Sequence, residues 1–275
     1  MNKILVPTDF SEQAMYALEI AVQLAKRYNA KIYLLHLLEM PEMLGDGPLA
    51  KTSELPEALF FMRLAHKKFD SILELPLLQD VEIIEAAEFY GAFEGIMEYV
   101  NKYEIDGIVM GSHGAKGIQE LFIGSNTEKV VRHSKVPVLV IKSQNLDFKI
   151  KNFVFATDLQ EDNIEPVRKA LKFAHKEKAT FQLVYINTPN RFKTTLEIMN
   201  NFNKFVEYLG TSIDNFTIFN DQTIERGILN FINYKNVELL GIGTHGRKGL
   251  SHFFNGSISQ DLVNHAKRPV ITFNI

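Results

Sequence analysis

The chain of 275 residues contains no cysteine. Disulfide bonds, thiolate nucleophiles and zinc sites built on cysteine are therefore excluded. An excess of charge is also missing, because 30 Lys and Arg residues stand against 33 Asp and Glu residues, for a formal net charge of −3. Such a balance provides no strong field that would attract nucleic acid or an anionic membrane surface.

Long apolar runs are absent as well. The longest stretches, such as IYLLHLL at 32–38, are far shorter than the roughly 20 apolar residues that a membrane helix needs. The first residues, MNKILVPTDF, enter a strand-like run at once and show no hydrophobic region of a secretory signal. We therefore expect a cytoplasmic protein whose partners include neither a membrane nor nucleic acid.

Several motifs of nucleotide enzymes are missing too. The sequence has no GxxxxGK[ST] loop, no HxGH motif and no SGGxDS loop, and no HExxH pattern for a metal. No residue presents itself as a nucleophile beside a general base. The sequence therefore predicts no catalytic residue and no metal ligand.

What the chain does contain is an internal repeat. Residues 111–141 and 243–273 align without a gap at an offset of 132, with thirteen identities. Both copies carry the pattern G-x2-G-x9-G-S, and the members of the two patterns are Gly111, Gly114, Gly124 and Ser125, and Gly243, Gly246, Gly256 and Ser257. Glycines between a strand and a helix allow backbone amides to approach phosphate closely.

A second pair of segments aligns at an offset of 149, where ILVPTD at 4–9 matches FVFATD at 153–158. Between the aligned blocks the first half has 17 residues more than the second. A repeat this long indicates two whole domains rather than a solenoid. The sequence predicts one domain over residues 1–144 and another over residues 145–275.

Short apolar runs alternate with helical stripes in both halves. ILVP at 4–7 has the character of a buried strand, and Ser11 is placed to cap a helix with apolar residues at helical spacing. The same alternation continues through five strands in each half. Strands that alternate with helices predict an α/β fold with parallel strands and helices on both faces.

Ligands of such folds bind beyond the carboxyl ends of the strands. The sequence brings Thr8 and Asp9, Thr157 and Asp158, and both glycine patterns to that edge. For each aspartate the alternative is capping of the following helix or turn. For a single glycine pair the alternative is a tight turn, and the repeated joint spacing is what favours phosphate binding.

With Thr-Asp after the first strand and G-x2-G-x9-G-S after the fourth, each half resembles a universal stress protein domain of the ATP-binding branch. The resemblance implies two tandem, doubly wound, Rossmann-like sheets of five parallel strands in the order 3-2-1-4-5, flanked by helices. It also implies ATP, with or without Mg²⁺, as the cofactor. The residues implied to contact it are Pro7, Thr8, Asp9, Leu37, Met110, Gly111, Gly114, Gly124, Ser125, Asn126, Thr127, Thr157, Asp158, Ile186, Ile242, Gly243, Gly246, Gly256, Ser257, Ile258 and Ser259.

The chain also departs from that family pattern. Asn126 stands where a small apolar residue is usual, and Pro7 is replaced by Ala156 in the second half. The 17 extra residues of the first half follow its second strand. We expect residues 40–55 there to form either a lid over the first site or an inert loop. The resemblance further implies pairing of the two halves through their fifth strands, with assembly into a homodimer left open.

Three functions follow from this resemblance. The first is a stress-response protein that senses or regulates through bound ATP. The alternatives are a slow ATPase, since positioning and a metal ion alone give some turnover, and a scaffold of the same fold that binds another ligand or none.

Overall fold

The computed structural model describes residues 1–38, 55–112, 124–244 and 262–274. Strands and helices alternate along each half. The strands are β1 Lys3–Pro7, β2 Lys31–Leu38, β3 Ile83–Phe89, β4 Gly107–Gly111, β5 Val138–Ile141, β6 Asn152–Ala156, β7 Thr180–Asn187, β8 Phe216–Asn220, β9 Leu239–Thr244 and β10 Val270–Asn274. The helices are α1 Glu12–Tyr28, α2 Leu55–Leu73, α3 Ala92–Lys102, α4 Ser125–His133, α5 Ile164–Glu177, α6 Thr195–Leu209 and α7 Ile224–Tyr234. Within these ranges no helix has the length and apolar character needed to cross a membrane.

All ten strands belong to one sheet in the order β3-β2-β1-β4-β5-β10-β9-β6-β7-β8. Each half therefore has the order 3-2-1-4-5, and the predicted α/β fold is confirmed. Strands within each half are parallel. The two sets of five strands are continuous, because β10 lies antiparallel beside β5 with Ile271 opposite Leu139.

Local sequence signals explain where the helices begin. Ser11 caps α1, since its hydroxyl accepts a hydrogen bond from the Ala14 amide at 3.2 Å. Thr194 and Glu197 form a reciprocal capping box at the start of α6. These caps satisfy amides that have no acceptor within the first turn of a helix.

The sheet carries an apolar core on each face. One core packs α1, α2, α5 and α6 against residues such as Phe153 and Ile271. The other packs α3, α4 and α7 against residues such as Val140 and Val270. Both cores contain residues of the two halves, so the apolar packing runs without interruption past the β5–β10 junction.

The connection between the halves is anchored rather than free. Phe148 is 1% exposed and Ile150 is 4% exposed, and both lie in the first core. A guanidinium nitrogen of Arg27 donates to the Phe148 carbonyl at 2.9 Å. The other terminal nitrogen pairs with the buried Glu177 carboxylate at 3.0 Å, and the Tyr28 hydroxyl bonds the same carboxylate. Helices α1 and α5 are thereby joined beneath the connection.

Two reciprocal polar contacts lie near the β5–β10 junction. The ammonium group of Lys142, after β5, donates to the Asn264 carbonyl of the second half at 3.2 Å. The amide of Asn274, in β10, donates to the Ser134 carbonyl of the first half at 2.9 Å. Each half thus contributes a side chain that satisfies a backbone carbonyl near a helix end of the other half.

Burial lowers the pKa of Lys142 from 10.5 to about 8. The unfolded chain consequently binds more protons than the folded chain between these values, and folding stability rises with pH across that window. We predict that Lys142→Met is more stable than the parent chain at pH 7, by on the order of 1–3 kcal/mol, because methionine removes the cost of burying a cation.

This advantage shrinks as the pH rises from about 8 towards 10.5, because the folded parent chain then holds Lys142 neutral while the unfolded chain also begins to lose that proton. Urea denaturation of both proteins from pH 7 to 10 measures the difference and cancels the contribution of other titrating groups. A difference that stays constant with pH contradicts the assignment of the cost to the Lys142 charge.

Candidate functional site

Within each half the carboxyl ends of the parallel strands face the same edge of the sheet, and the strand order reverses between the first and fourth strands. Because β10 is antiparallel to β5, the two halves use opposite edges. In the first half these neighbours are β1 and β4, with Ile4 opposite Gly107. In the second half they are β6 and β9, with Phe153 opposite Leu239. Such a reversal is where an open α/β sheet leaves a crevice for a ligand, and the described predicted residues of each half lie near the reversal point of that half.

In the first half the turn after β1 leaves its aspartate at the surface. Thr8 is buried, and its backbone amide still pairs with the Leu35 carbonyl at 2.8 Å. Asp9 is exposed, and one of its carboxylate oxygens accepts a hydrogen bond from the Ser11 amide at 3.0 Å. Phe10 between them takes a left-handed conformation with φ 64°. The turn therefore presents a carboxylate to solvent at the end of β1.

His36 lies behind this turn and was not among the predicted site residues. Its Nδ1 is 2.8 Å from the Thr8 carbonyl, and its ring centroid is 4.4 Å from that of Phe10. Burial lowers the pKa of His36, which favours the neutral ring. His36 therefore stabilises the turn after β1. The sequence around His36 in β2 does not predict this contact with a different segment.

The end of β4 is tied to the start of α4. The Gly124 amide donates to the Ser112 carbonyl at 2.8 Å, and the buried Thr127 hydroxyl donates to the Gly111 carbonyl at 3.0 Å. Gly124 caps α4 without a side chain, so the amides of residues 125–127 precede the first intrahelical bond, from Glu128 to Gly124. The exposed Ser125 and partly buried Asn126 border this helix start.

Gly111 is required for packing in this structure. A Cβ atom on Gly111 would lie 2.8 Å from the carbonyl oxygen of Gln13 and 2.9 Å from its carbonyl carbon. The backbone of α1 thus approaches the end of β4 closely. The glycine pattern predicts that Gly111 contacts phosphate. In the structure Gly111 also allows the close packing of α1, through a contact with Gln13, 98 residues earlier in the chain.

The predicted apolar positions occupy matching places in the two halves. A Cβ on Gly95 of α3 would meet the Leu37 side chain at 2.7 Å, and a Cβ on Gly227 of α7 would meet Ile186 at 2.5 Å. A glycine on the helix after the third strand therefore makes room for the side chain at the end of the second strand. Met110 and Ile242 lie near the ends of the fourth strands, and both are buried in the core beside α3, α4 and α7.

The turn after β6 differs from its counterpart in the first half. Asp158 is only 2% exposed, and one of its carboxylate oxygens, Oδ1, accepts from the Gln160 amide at 3.1 Å and from the Asn163 side-chain amide at 2.8 Å. A 3₁₀ turn over Glu161–Asn163 precedes α5. Burial raises the pKa of Asp158, and the nearby Asp162 charge raises it further. The sequence predicted equivalent aspartates, and the structure gives them unequal surroundings.

Part of the predicted site lies outside the described residues. These positions are Gly114, Gly246, Gly256, Ser257, Ile258 and Ser259, together with most of segment 40–55. Of the predicted second-half residues, Thr157, Asp158, Ile186, Ile242 and Gly243 are described, and all five are buried. Over the described ranges, no group of three or more His, Asp or Glu side chains is placed to hold a metal ion.

We predict that Gly111→Ala destabilises the fold by roughly 1–3 kcal/mol, because the added methyl group overlaps the α1 backbone and forces a shift. Gly91→Ala is the matched control, since a Cβ there would meet only the flexible end of the Glu94 side chain. Thermal and urea denaturation compare the two variants with the parent chain. Equal stability of both variants contradicts the close approach at Gly111.

Comparison with known proteins places these features in a family. The profile of the universal stress protein family matches residues 1–142 and 217–274. Universal stress protein MJ0577 of Methanocaldococcus jannaschii is 32% identical over 158 residues, which are 52% of this chain and 96% of that protein. Universal stress protein MJ0531 of the same organism is 28% identical over 149 residues, which are 51% of this chain and 82% of that protein.

A solved structure resembles this fold over nearly the whole of both chains. A universal stress protein from Archaeoglobus fulgidus superposes with a TM-score of 0.70 at 19% identity, covering 99% of this chain and 98% of the other. At this identity the likeness concerns the fold alone. Because the family profile matches most of the chain, in a segment of each half, this chain belongs to the universal stress protein family.

Proposed function

We propose that this chain binds an adenine nucleotide, ATP with or without Mg²⁺, and acts as a stress-response sensor or regulator rather than as a fast enzyme. The observation that carries the proposal is the pairing of two features on adjacent strands of the first half. The exposed Asp9 carboxylate follows β1, and the glycine-capped start of α4 follows β4. A nucleotide offers a base with donors at one end and phosphates at the other.

The start of α4 suits the phosphate end. Backbone amides without intrahelical acceptors point out of a helix N-terminus, and the helix dipole adds partial positive charge there. Gly124 carries no side chain that would screen these amides, and Ser125 adds an exposed hydroxyl. Thr127 contributes its backbone amide only, because its hydroxyl already bonds the Gly111 carbonyl.

The end of β1 and its neighbours suit the adenosine end. Leu37 and Met110 are apolar groups on the strands that flank the crevice, and the partly buried Pro7 closes β1. The Asp9 carboxylate is an acceptor for the exocyclic amine of adenine or for a ribose hydroxyl. Apolar walls with a few placed polar groups are typical of nucleotide pockets.

The lack of phosphoryl-transfer motifs in the sequence favours a regulatory role over rapid ATP hydrolysis. Fast phosphoryl transfer needs a residue that orients the attacking water and groups that hold the metal-bound phosphates. The sequence presents none of the motifs that supply them. Binding with a slow or absent reaction is the function that such a site supports.

We also propose that the two halves are separate domains, 1–144 and 145–275, and that the β5–β10 contact is the internal counterpart of pairing between single-domain relatives. Cytoplasmic location and the absence of nucleic acid partners remain predictions from the sequence. So does any assembly of two chains into a homodimer.

The test uses two glycines with the same local geometry. Gly124 caps α4 with φ −63° and ψ 143°, and Gly91 caps α3 with φ −59° and ψ 135°. We predict that millimolar ATP with Mg²⁺ raises the melting temperature of the parent chain and of Gly91→Val. Gly124→Val loses most of this rise, because a branched side chain then covers the helix amides.

Isothermal titration measures the same loss, and an effect of at least tenfold in Kd is expected for Gly124→Val. Phosphate release in the same samples distinguishes binding from slow hydrolysis. A parent chain whose melting temperature and calorimetric heat do not respond to ATP contradicts the proposal and leaves a scaffold of this fold. An equal loss in both valine variants also contradicts it.

A further inference from the structure

The two halves differ at one position next to the aspartate that follows the first strand, and this difference changes the hydrogen bonding of that aspartate. At the offset of 149 that aligns Asp9 with Asp158, Ala14 aligns with Asn163. Ala14 offers no polar group to Asp9. Asn163 is fully buried and donates from its amide nitrogen to Asp158 at 2.8 Å. The first-half carboxylate therefore faces solvent, and the second-half carboxyl group faces an amide inside the protein.

Two atoms of this pair are left without a partner among the described residues. They are Oδ2 of Asp158 and Oδ1 of Asn163, and both are buried acceptors. The remaining atoms, Oδ1 of Asp158 and Nδ2 of Asn163, already bond each other. One proton on Asp158 Oδ2 would donate to Asn163 Oδ1 and satisfy both, giving the cyclic pair of hydrogen bonds that a carboxylic acid forms with an amide. A buried carboxylate with one oxygen left unsatisfied would instead be costly.

The surroundings favour the protonated form. Burial raises the pKa of Asp158 most, and the negative charge of Asp162 on the 3₁₀ turn raises it further, whereas the hydrogen bonds from the Gln160 amide and from Asn163 lower it without reversing the direction. From β7 the Tyr185 hydroxyl also interacts with Asp158, and burial together with that aspartate raises the pKa of Tyr185. Arg191, after β7, acts on Tyr185 in the opposite sense.

We propose that Asp158 is held as a neutral acid paired with Asn163, that this pair withholds the second half from nucleotide, and that the chain binds one nucleotide, in its first half. This inference rests on the proposed function and specifies its stoichiometry. Asp158 is 2% exposed, so a nucleotide reaches its carboxyl group only after the residues around it move. Asp9 needs no such movement.

Native mass spectrometry of the full chain with ATP and Mg²⁺ counts the bound nucleotides. We expect one per chain, removed by Asp9→Ala and retained in Asp158→Ala. We expect Asn163→Ala, which gives the second half the residue found at position 14, to expose Asp158 and to raise the count towards two.

The outcomes separate this inference from the function on which it rests. Two nucleotides on the parent chain overturn the single-site inference and leave nucleotide binding intact. One nucleotide that is lost in Asp158→Ala and kept in Asp9→Ala also overturns it. Binding of none overturns the proposed function and the stoichiometry together, and the acid–amide pair is then decided by the next measurement alone.

Infrared spectroscopy without nucleotide tests the pair itself. A protonated buried carboxyl group has a C=O band that differs from that of a carboxylate, and we expect such a band at neutral pH in the parent chain and not in Asp158→Asn. The asparagine variant keeps the fold, because a second amide reproduces the donor and acceptor of the neutral acid. Absence of the band from the parent chain, or unfolding of Asp158→Asn, would falsify the neutral pair.

Discussion

The antiparallel contact between β5 and β10 is the constraint on which the architecture depends. It joins two sets of parallel strands into one sheet, and each face of that sheet then carries a single core shared by both halves. The Arg27–Glu177 pair and the contact of Asn274 with the Ser134 carbonyl also connect the two halves. The same contact determines where the crevice of each half lies in the sheet, because the parallel strands of a half end together at one edge.

Much of this arrangement was predictable from the sequence, because local residue patterns indicate the strands, the helices and their starting points. Alternating apolar runs and helical stripes indicate parallel strands with flanking helices, and the caps at Ser11 and Thr194 mark where helices begin. The repeat at two offsets indicates two halves of one plan. The apolar patterns and the helix caps lie within a few residues of the features that they predict.

The parts that sequence did not predict depend on contacts between distant segments. Gly111 packs against the α1 backbone, and nothing in its own loop distinguishes that need from an approach to phosphate. His36 supports the turn after β1 only because β1 and β2 are neighbours. The unequal burial of Asp9 and Asp158 had a visible cue in the change from Ala14 to Asn163, but its meaning required the 3₁₀ turn that brings the amide to the carboxyl group.

The pairing of β5 with β10 also limits how two chains can associate. Both fifth strands have their hydrogen-bonding edges occupied within one molecule, so neither is open to a second copy. Among the described strands, those at the two ends of the sheet are β3 and β8. An association of two chains that extends this sheet would therefore add strands beside β3 or β8, and not at the centre where the two halves meet.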